Sequence, residues 1–338
     1  MKIKYNYFIH DREVINMNYK KIVVAGGGVL GSQIAFQSAY CGFDVTIWLR
    51  SEDSKTRTQP KLDKLKESYK KALELMNSKD GNIDSNWCRG LSDRDNFSYD
   101  DCLKKVENAY NGIKLETNMQ KAMEDADLVI ESMAENEKDK IEFYQKLAPF
   151  LNEKTVLVTN SSTLLPSKFA KYTGRPDKYL SLHFANNIWK QNTAEVMVHD
   201  GTNKKYFDEI IEFANAIRMV ALPVNREKSG YLLNSMLVPF LLSAMDLLAN
   251  QISDPETIDK AWVLGTGAPK GPFQIMDIVG MITVKNIVEQ YQKVPGLFSP
   301  LLKKMMMPYN FKGMLEILNK YIDEGKLGLS SGEGFYKY

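Results

Sequence analysis

The sequence predicts an α/β chain, with a doubly wound sheet in its first two thirds and an all-α C-terminal domain after it. Three observations predict this. Short β-branched runs alternate with helical patterns as far as residue 225, and the β signals then fade. A glycine-rich turn, "AGGGVLG", joins the first strand to the first helix. At 338 residues the chain exceeds the roughly 250 at which a single core stops growing, so two domains are expected.

The first 17 residues, "MKIKYNYFIHDREVINM", lack an uninterrupted apolar stretch and a small-residue cleavage site, so they do not read as a signal peptide. Residues 1–18 are taken as an extension without assigned function, with Met17 an alternative start. "KIVVAG" reads as the first strand, and "SQIAFQSAYCG" is apolar at helical spacing and closed by Gly42. "DVTIWL" is the next strand. Residues 60–77 carry Leu62, Leu65, Tyr69, Ala72, Leu73 and Met76 at spacings of three and four, an amphipathic helix expected to be one of a pair. The stretch "NSKDGNIDSNWCRGLSDRDNFSYDD" is polar and turn-rich and reads as an irregular insertion outside the core.

"ADLVIESMAE" reads as a buried strand entering a loop, and "TVLVTNSST", "KYLSLHFA" and "AEVMVHD" as further strands. "YFDEIIEFANAI" is a helix and "MVALPVN" a final strand. "SGYLLNSMLVPFLLSAMDLLANQ" is a long, almost wholly apolar helical run, followed by helices and loops. The expected domains are the extension, a sheet domain over 19–226 and a helical domain over 227–338, divided where the apolar strand gives way to "NREK".

Composition excludes some functions. A net charge of +2 offers no bulk attraction to nucleic acid or anionic membrane. No apolar run approaches the roughly 20 residues needed to span a bilayer. Cys41, Cys88 and Cys102 are odd in number and lack metal-ligand spacing, which suits a reducing cytoplasm, with Cys41 a small core residue. No metal site is expected.

Gly26, Gly28 and Gly31 form G-x-G-x-x-G directly after a strand and before a helix. The first glycine allows the tight turn, the second the approach of a pyrophosphate and the third close helix–strand packing. A Rossmann-type dinucleotide site is expected, with Val29 and Leu30 among its contacts and free N–H groups facing the phosphates. The second strand should end on a carboxylate for the adenosine ribose, yet it ends on Leu49, Arg50 and Ser51. A cation and a hydroxyl suit a 2′-phosphate, which leans towards NADP(H). Alternatively Arg50 is solvated, and Glu52 or Asp53 bends back to the ribose.

Of three histidines, His10 lies in the extension and His199 at a strand end, expected on the surface. His183 ends "KYLSLHFA" on the ligand side of a parallel sheet, a fitting place for acid–base work near neutral pH. Position alone also allows a structural histidine. Glu195 opens the next apolar strand; a carboxylate flanked by Ala194 and Val196 needs a partner, which His183 would supply, fixing the ring's tautomer. Ser162 in "TNSST" follows a buried strand, and Asn234 interrupts an apolar helix, where it either bridges helices or reaches the active site.

Together these residues resemble the 3-hydroxyacyl-CoA dehydrogenase family, over nearly all the chain from Lys20 to Tyr338. The matching stretches are the glycine turn, "ADLVIESMAENEKDK", "TNSST", "LHFAN", "AEVMV", "GYLLNSMLVPF", "GAPKGPFQIMDIVG" and "SGEGFYKY". The resemblance implies His183 as catalytic base, Glu195 as its partner, and Ser162 and Asn234 as holders of the substrate's 3-oxygen. It places Glu135, Lys140 and Asn186 on the nicotinamide side of the cofactor site and leans towards NAD(H); Asn160 and Ser162 are also expected among the cofactor contacts. It also implies a small-molecule substrate and a homodimer formed through the helical domain.

Departures from the family pattern concern the substrate. "HFANN" stands for the usual His-Phe-Phe-Asn-Pro, and Ser229, Gly230 and Tyr231 stand for Pro-Gly-Phe. Ser235 replaces an arginine and Ser330 a lysine. "NSSTLLPS", "LHFANN" and "GTGAPKGPF" are most similar to the diketoreductase branch. Three readings follow: a 3-hydroxyacyl-CoA (3-hydroxybutyryl-CoA) dehydrogenase; a reductase of non-thioester β-keto acids, esters or sugar acids; and a non-catalytic dinucleotide-binding protein. Lysines over 61–71 either hold CoA phosphates or form the solvated face of a helix.

Overall fold

Four buried residues in the five of β1 (Lys21–Ala25) make a strand covered on both faces. In the computed structural model, which describes residues 19–81, 83–292 and 309–338, this strand sits inside an eight-stranded sheet. The extension and His10 lie outside the described residues. After β1 come α1 (Val29–Tyr40), β2 (Asp44–Trp48), α2 (Glu52–Asn77), α3 (Tyr99–Gly112), β3 (Lys114–Glu116), α4 (Met119–Met123) and β4 (Leu128–Glu131). Then follow α5 (Glu137–Leu147), β5 (Val156–Thr159), β6 (Tyr179–Phe184), β7 (Thr193–Met197), α6 (Lys204–Ala216) and β8 (Val220–Val224).

The strand order is β3-β2-β1-β4-β5-β6-β7-β8. Every neighbouring pair is parallel except β6–β7, so β7 and β8 run against the rest. The chain leaves β1 towards β2 on one side and returns to β4 on the other, which opens a crevice at the carboxyl ends of β1 and β4. Alternate side chains serve opposite faces: Ile22 and Val24 pack with Ile34, Phe36 and Tyr69, while Val23 and Ala25 pack with Phe143, Tyr144 and Phe169. Gly42 ends α1 with φ +98°, and the Phe43 and Gly42 amides donate to the Ser38 and Ala39 carbonyls.

Two sequence expectations fail here. The polar insertion contributes to the core: Trp87, Cys88 and Leu91 are buried, and the Tyr40 hydroxyl and Gln37 amide donate to the Leu91 and Gly90 carbonyls. Its polar composition reflects an irregular backbone, whereas three apolar side chains reach under α1. Cys41 is only half-buried, while Cys88 and Cys102 are enclosed.

The chain divides between Leu232 and Leu233. The second unit contains α7 (Leu233–Ala249), α8 (Pro255–Thr266), α9 (Pro272–Val279), α10 (Met281–Gln292) and α11 (Phe311–Asp323). Its core holds Leu241, Met245, Phe273, Met276, Met281, Val288 and Met314. Asp277 accepts hydrogen bonds from the Phe335 and Tyr336 amides and the Tyr338 hydroxyl, which anchors the C-terminal tail. Among the described residues no helix is long and apolar enough to cross a membrane.

Candidate active site

The glycine turn has geometry that other residues would not reproduce. Gly26 adopts φ +121°, and a Cβ there would stand 2.5 Å from the Ser132 carbonyl oxygen. A Cβ on Gly31 would stand 2.1 Å from the Gly26 carbonyl oxygen, whereas around Gly28 nothing lies within 4 Å of that position. The helix start is therefore packed tightly from behind and open in front. No side chain caps α1, so its first amides face that opening. This arrangement fits a dinucleotide diphosphate, with Val29 well exposed and Leu30 half-buried at the same helix start.

A cavity of about 250 Å³ continues from the turn along the ends of β1, β2 and β4, lined by Gly26, Gly28, Leu49, Arg50, Arg57 and Met133 among others. Leu49 is buried, while Arg50 and Ser51 are exposed. Glu52, one of the carboxylates able to replace the missing ribose ligand, is already engaged: its Oε1 accepts from Thr117 Oγ1 at 2.7 Å and pairs with Lys55 at 3.0 Å. The hydrogen bond from Thr117, and then that from Lys55, hold its carboxyl below the usual range.

The antiparallel register of β6 and β7 sets His183 directly opposite Glu195. Residues opposed in this way share one face of the sheet. His183 Nδ1 lies 3.0 Å from Glu195 Oε2, and His183 Nε2 lies 3.1 Å from Ser162 Oγ. Both members of the pair are buried, at 6% and 4% exposure, so the contact is shielded from water. An ionised Glu195 only accepts, which assigns the proton of the neutral ring to Nδ1 and leaves the Nε2 lone pair towards Ser162. The second Glu195 oxygen accepts the Leu232 amide at 2.8 Å.

The loop bearing Ser162 is held from two sides. On one, Glu135 Oε1 accepts from Ser161 Oγ at 2.6 Å, the Thr163 amide at 2.8 Å and Thr163 Oγ1 at 2.9 Å. Burial opposes ionisation of Glu135, but the Ser161 and Thr163 hydrogen bonds and the Lys140 ammonium outweigh it and hold the carboxyl below its ordinary range. On the other, three consecutive residues donate to three consecutive carbonyls. Ser229 Oγ donates to Thr163 at 2.9 Å, the Gly230 amide to Ser162 at 3.3 Å and the Tyr231 hydroxyl to Ser161 at 2.7 Å. Asn160 accepts the Phe184 amide at 3.1 Å and so ties the end of β5 to that of β6.

The remaining expected residues differ in their surroundings. Lys140, expected beside the nicotinamide, is wholly enclosed: its ammonium donates to Glu131 at 2.6 and 2.8 Å, because Glu131 is itself fully buried and requires a cation. Tyr144 and Thr159 donate to the same carboxylate. Asn186 is exposed. His199 is buried: β7 runs antiparallel and carries it to the opposite sheet edge from His183, where Gly201 donates to its Nδ1 and its Nε2 donates to the Pro176 carbonyl. Asn234 lies in the first turn of α7, half-buried, because the helix begins at Leu233 and not upstream.

Sequence reasoning missed Tyr231, whose ring stacks on His183 at 4.5 Å between centroids and 15° between planes. It also missed Glu131 and Gln33, whose Oε1 accepts the Asn187 amide just after His183. The available signal for Tyr231 was the tyrosine standing where the family pattern has phenylalanine.

A dinucleotide turn on a doubly wound sheet, with a histidine and a carboxylate at its carboxyl edge, is the architecture of a nicotinamide-dependent dehydrogenase. Residues 21–227 match the family model of the 3-hydroxyacyl-CoA dehydrogenase NAD binding domain, and residues 230–338 match that of the C-terminal domain. The chain belongs to the 3-hydroxyacyl-CoA dehydrogenase family and is an oxidoreductase acting on CH–OH groups. It is 31% identical over 320 residues to the mitochondrial hydroxyacyl-coenzyme A dehydrogenase of Homo sapiens, covering 94% of this chain and 91% of that one. It is 28% identical over 322 residues to the 3-hydroxybutyryl-CoA dehydrogenase of Clostridioides difficile, covering 94% and 99%. A solved diketoreductase structure, described as acting on dicarbonyl compounds, superposes with a TM-score of 0.78 at 41% identity, covering 95% of this chain and 99% of that one.

Proposed function

We propose that this enzyme interconverts 3-hydroxyacyl and 3-oxoacyl groups, with a short-chain CoA thioester such as 3-hydroxybutyryl-CoA as the first substrate to test. The observation that carries the reading is the Ser162–His183–Glu195 chain of contacts at 3.1 and 3.0 Å. In oxidation His183 Nε2 takes the proton of the 3-hydroxyl, and Glu195 stabilises the imidazolium through Nδ1. Ser162 Oγ donates to the 3-oxygen as it becomes a carbonyl. The family likeness adds Asn234 as a second donor to that oxygen. A nicotinamide bound at the glycine turn would supply the hydride acceptor for C3. In reduction the protonated His183 returns its proton to the oxygen.

A second reading, reduction of non-thioester β-dicarbonyl compounds, is favoured by the 41% identity to a diketoreductase. The same proton chemistry serves both. The cofactor is a nicotinamide dinucleotide; the buried Leu49 with Arg50 and Ser51 supports NADP(H) over NAD(H). Exposed Met236 and Leu264 in the helical unit support a homodimer, and three free thiols support a cytoplasmic site.

The test is initial-rate measurement with acetoacetyl-CoA, free acetoacetate and a β,δ-diketo ester, each with NADH and NADPH. Turnover of the thioester well above the other two supports the first reading. The reverse order replaces it with the second, and no turnover of any removes both.

A further inference from the structure

We infer that Arg57 and Lys61 on α2, with Arg50 after β2, form a cradle for a phosphate carried on the adenosine ribose, that of a 2′-phosphorylated nicotinamide dinucleotide. The inference rests on the NADP(H) reading above and adds the residues that grip the phosphate.

Position comes first. Ser54, Arg57, Thr58 and Lys61 are spaced three and four apart, so they share one face of α2. That face is fixed against the glycine turn: Thr58 is buried, its hydroxyl lies 3.3 Å from the Gly27 carbonyl, and a Cβ on Gly27 would stand 2.1 Å from Thr58 Oγ1. Arg50, Arg57 and Lys61 consequently line the same cavity as Gly26 and Gly28. A dinucleotide with its diphosphate at the turn would bring its adenosine ribose to the end of β2, beside these groups.

Charge comes second. Lys55, Lys66 and Lys70 of the same helix are paired with Glu52 or Glu107. Among the described residues no ion pair is formed by Arg50, Arg57 or Lys61, although all three line one cavity with Asp139 as its carboxylate. The Arg57 guanidinium donates to Ser54 Oγ at 3.0 Å, and Ser54 Oγ lies 3.1 Å from Ser51 Oγ, which gathers two hydroxyls beside it. Cations with hydroxyls, beside a buried leucine where a ribose carboxylate would stand, match a dianionic phosphate and leave a bare 2′-hydroxyl without its acceptor.

The same chemistry is offered by the 3′-phosphate of CoA, so the test separates the sources. Dissociation constants of NADPH, NADH, 2′,5′-ADP and 3′,5′-ADP are measured by titration calorimetry for the full chain, Arg57→Ala and Lys61→Ala. The parent is expected to bind NADPH tighter than NADH. Each variant should weaken NADPH and 2′,5′-ADP by about tenfold, the loss of one charge-assisted contact, with NADH changed less than about twofold. A parent that binds NADH as tightly as NADPH removes the cofactor reading and the cradle together. A parent that prefers NADPH, with variants that weaken NADH and NADPH equally, keeps the reading and overturns the cradle in favour of a diphosphate contact. Loss confined to 3′,5′-ADP overturns it in favour of CoA.

Discussion

Tyr231 lies flat against His183, 4.5 Å between centroids and 15° between planes, while its hydroxyl donates to the Ser161 carbonyl at 2.7 Å. One side chain thus fixes the plane of the proposed base and the loop carrying the serine that faces it. Burial first, and the nearby carboxylates of Glu135 and Glu195 after it, push the phenol well above its ordinary range, so it stays a neutral donor. Tyr231→Phe keeps the stack and leaves a buried carbonyl unsatisfied. The expected cost is about 1–3 kcal/mol in urea unfolding, with kcat lowered more than KM raised. A variant equal to the parent in both would show that the hydroxyl does not hold the loop.

His183→Gln removes the acid–base nitrogen and keeps a polar side chain of similar reach. We expect kcat to fall by about 10²–10⁴-fold, with dinucleotide affinity unchanged by fluorescence titration. Turnover near that of the parent would remove His183 from the chemistry.

Glu195→Gln should act through the ring's tautomer. A glutamine amide pointed at Nδ1 donates, which moves the imidazole proton to Nε2 and blocks proton uptake there. The expected loss in kcat is on the order of 10²–10⁴-fold. Dinucleotide affinity should stay unchanged, and a kcat equal to that of the parent would speak against this pairing.

Lys140→Met isolates a fully buried Glu131. Removing one member of such a pair should cost about 3–5 kcal/mol in unfolding, since the remaining carboxylate keeps its desolvation penalty. The double change with Glu131→Gln should recover part of that loss. A single variant as stable as the parent would mean that the site takes up water or a proton without strain.

Glu135 supplies a pH test. Its folded pKa is depressed, so its contribution to stability is complete above the unfolded glutamate value of about 4.3 and disappears as pH falls through the lower folded value. Glu135→Gln lacks that contribution at every pH. The stability gap between parent and variant should therefore be constant from neutral pH down to about 4.3 and close below it, as read by thermal melts at stepped pH. A gap that widens on acidification would contradict the assigned direction.

Local pattern carried much of the fold. The α/β alternation, the glycine turn and the apolar strand bearing His183 all rest on residues close in sequence, and periodicity reads those well. Pairing direction does not: nothing local in "AEVMVHD" reports that β7 runs against β6, yet that reversal sets Glu195 opposite His183 and sends His199 to the far edge. Burial of charge was equally hidden. Lys140 is enclosed by its pair with Glu131, nine residues away on another element, and no local pattern reports that contact. Trp87 and Leu91 were lost among polar neighbours because an irregular segment has no period to reveal which side chains turn inward.

The segment between β8 and α7 is laced residue by residue. Glu227 accepts the Ser167 amide, Lys228 donates to the Met197 sulfur, Ser229, Gly230 and Tyr231 bind the serine loop, and Leu232 binds Glu195. Such a connection has no slack. A change anywhere along it, even one remote from the imidazole in sequence, would therefore reach both the serine loop and the carboxylate that steadies His183.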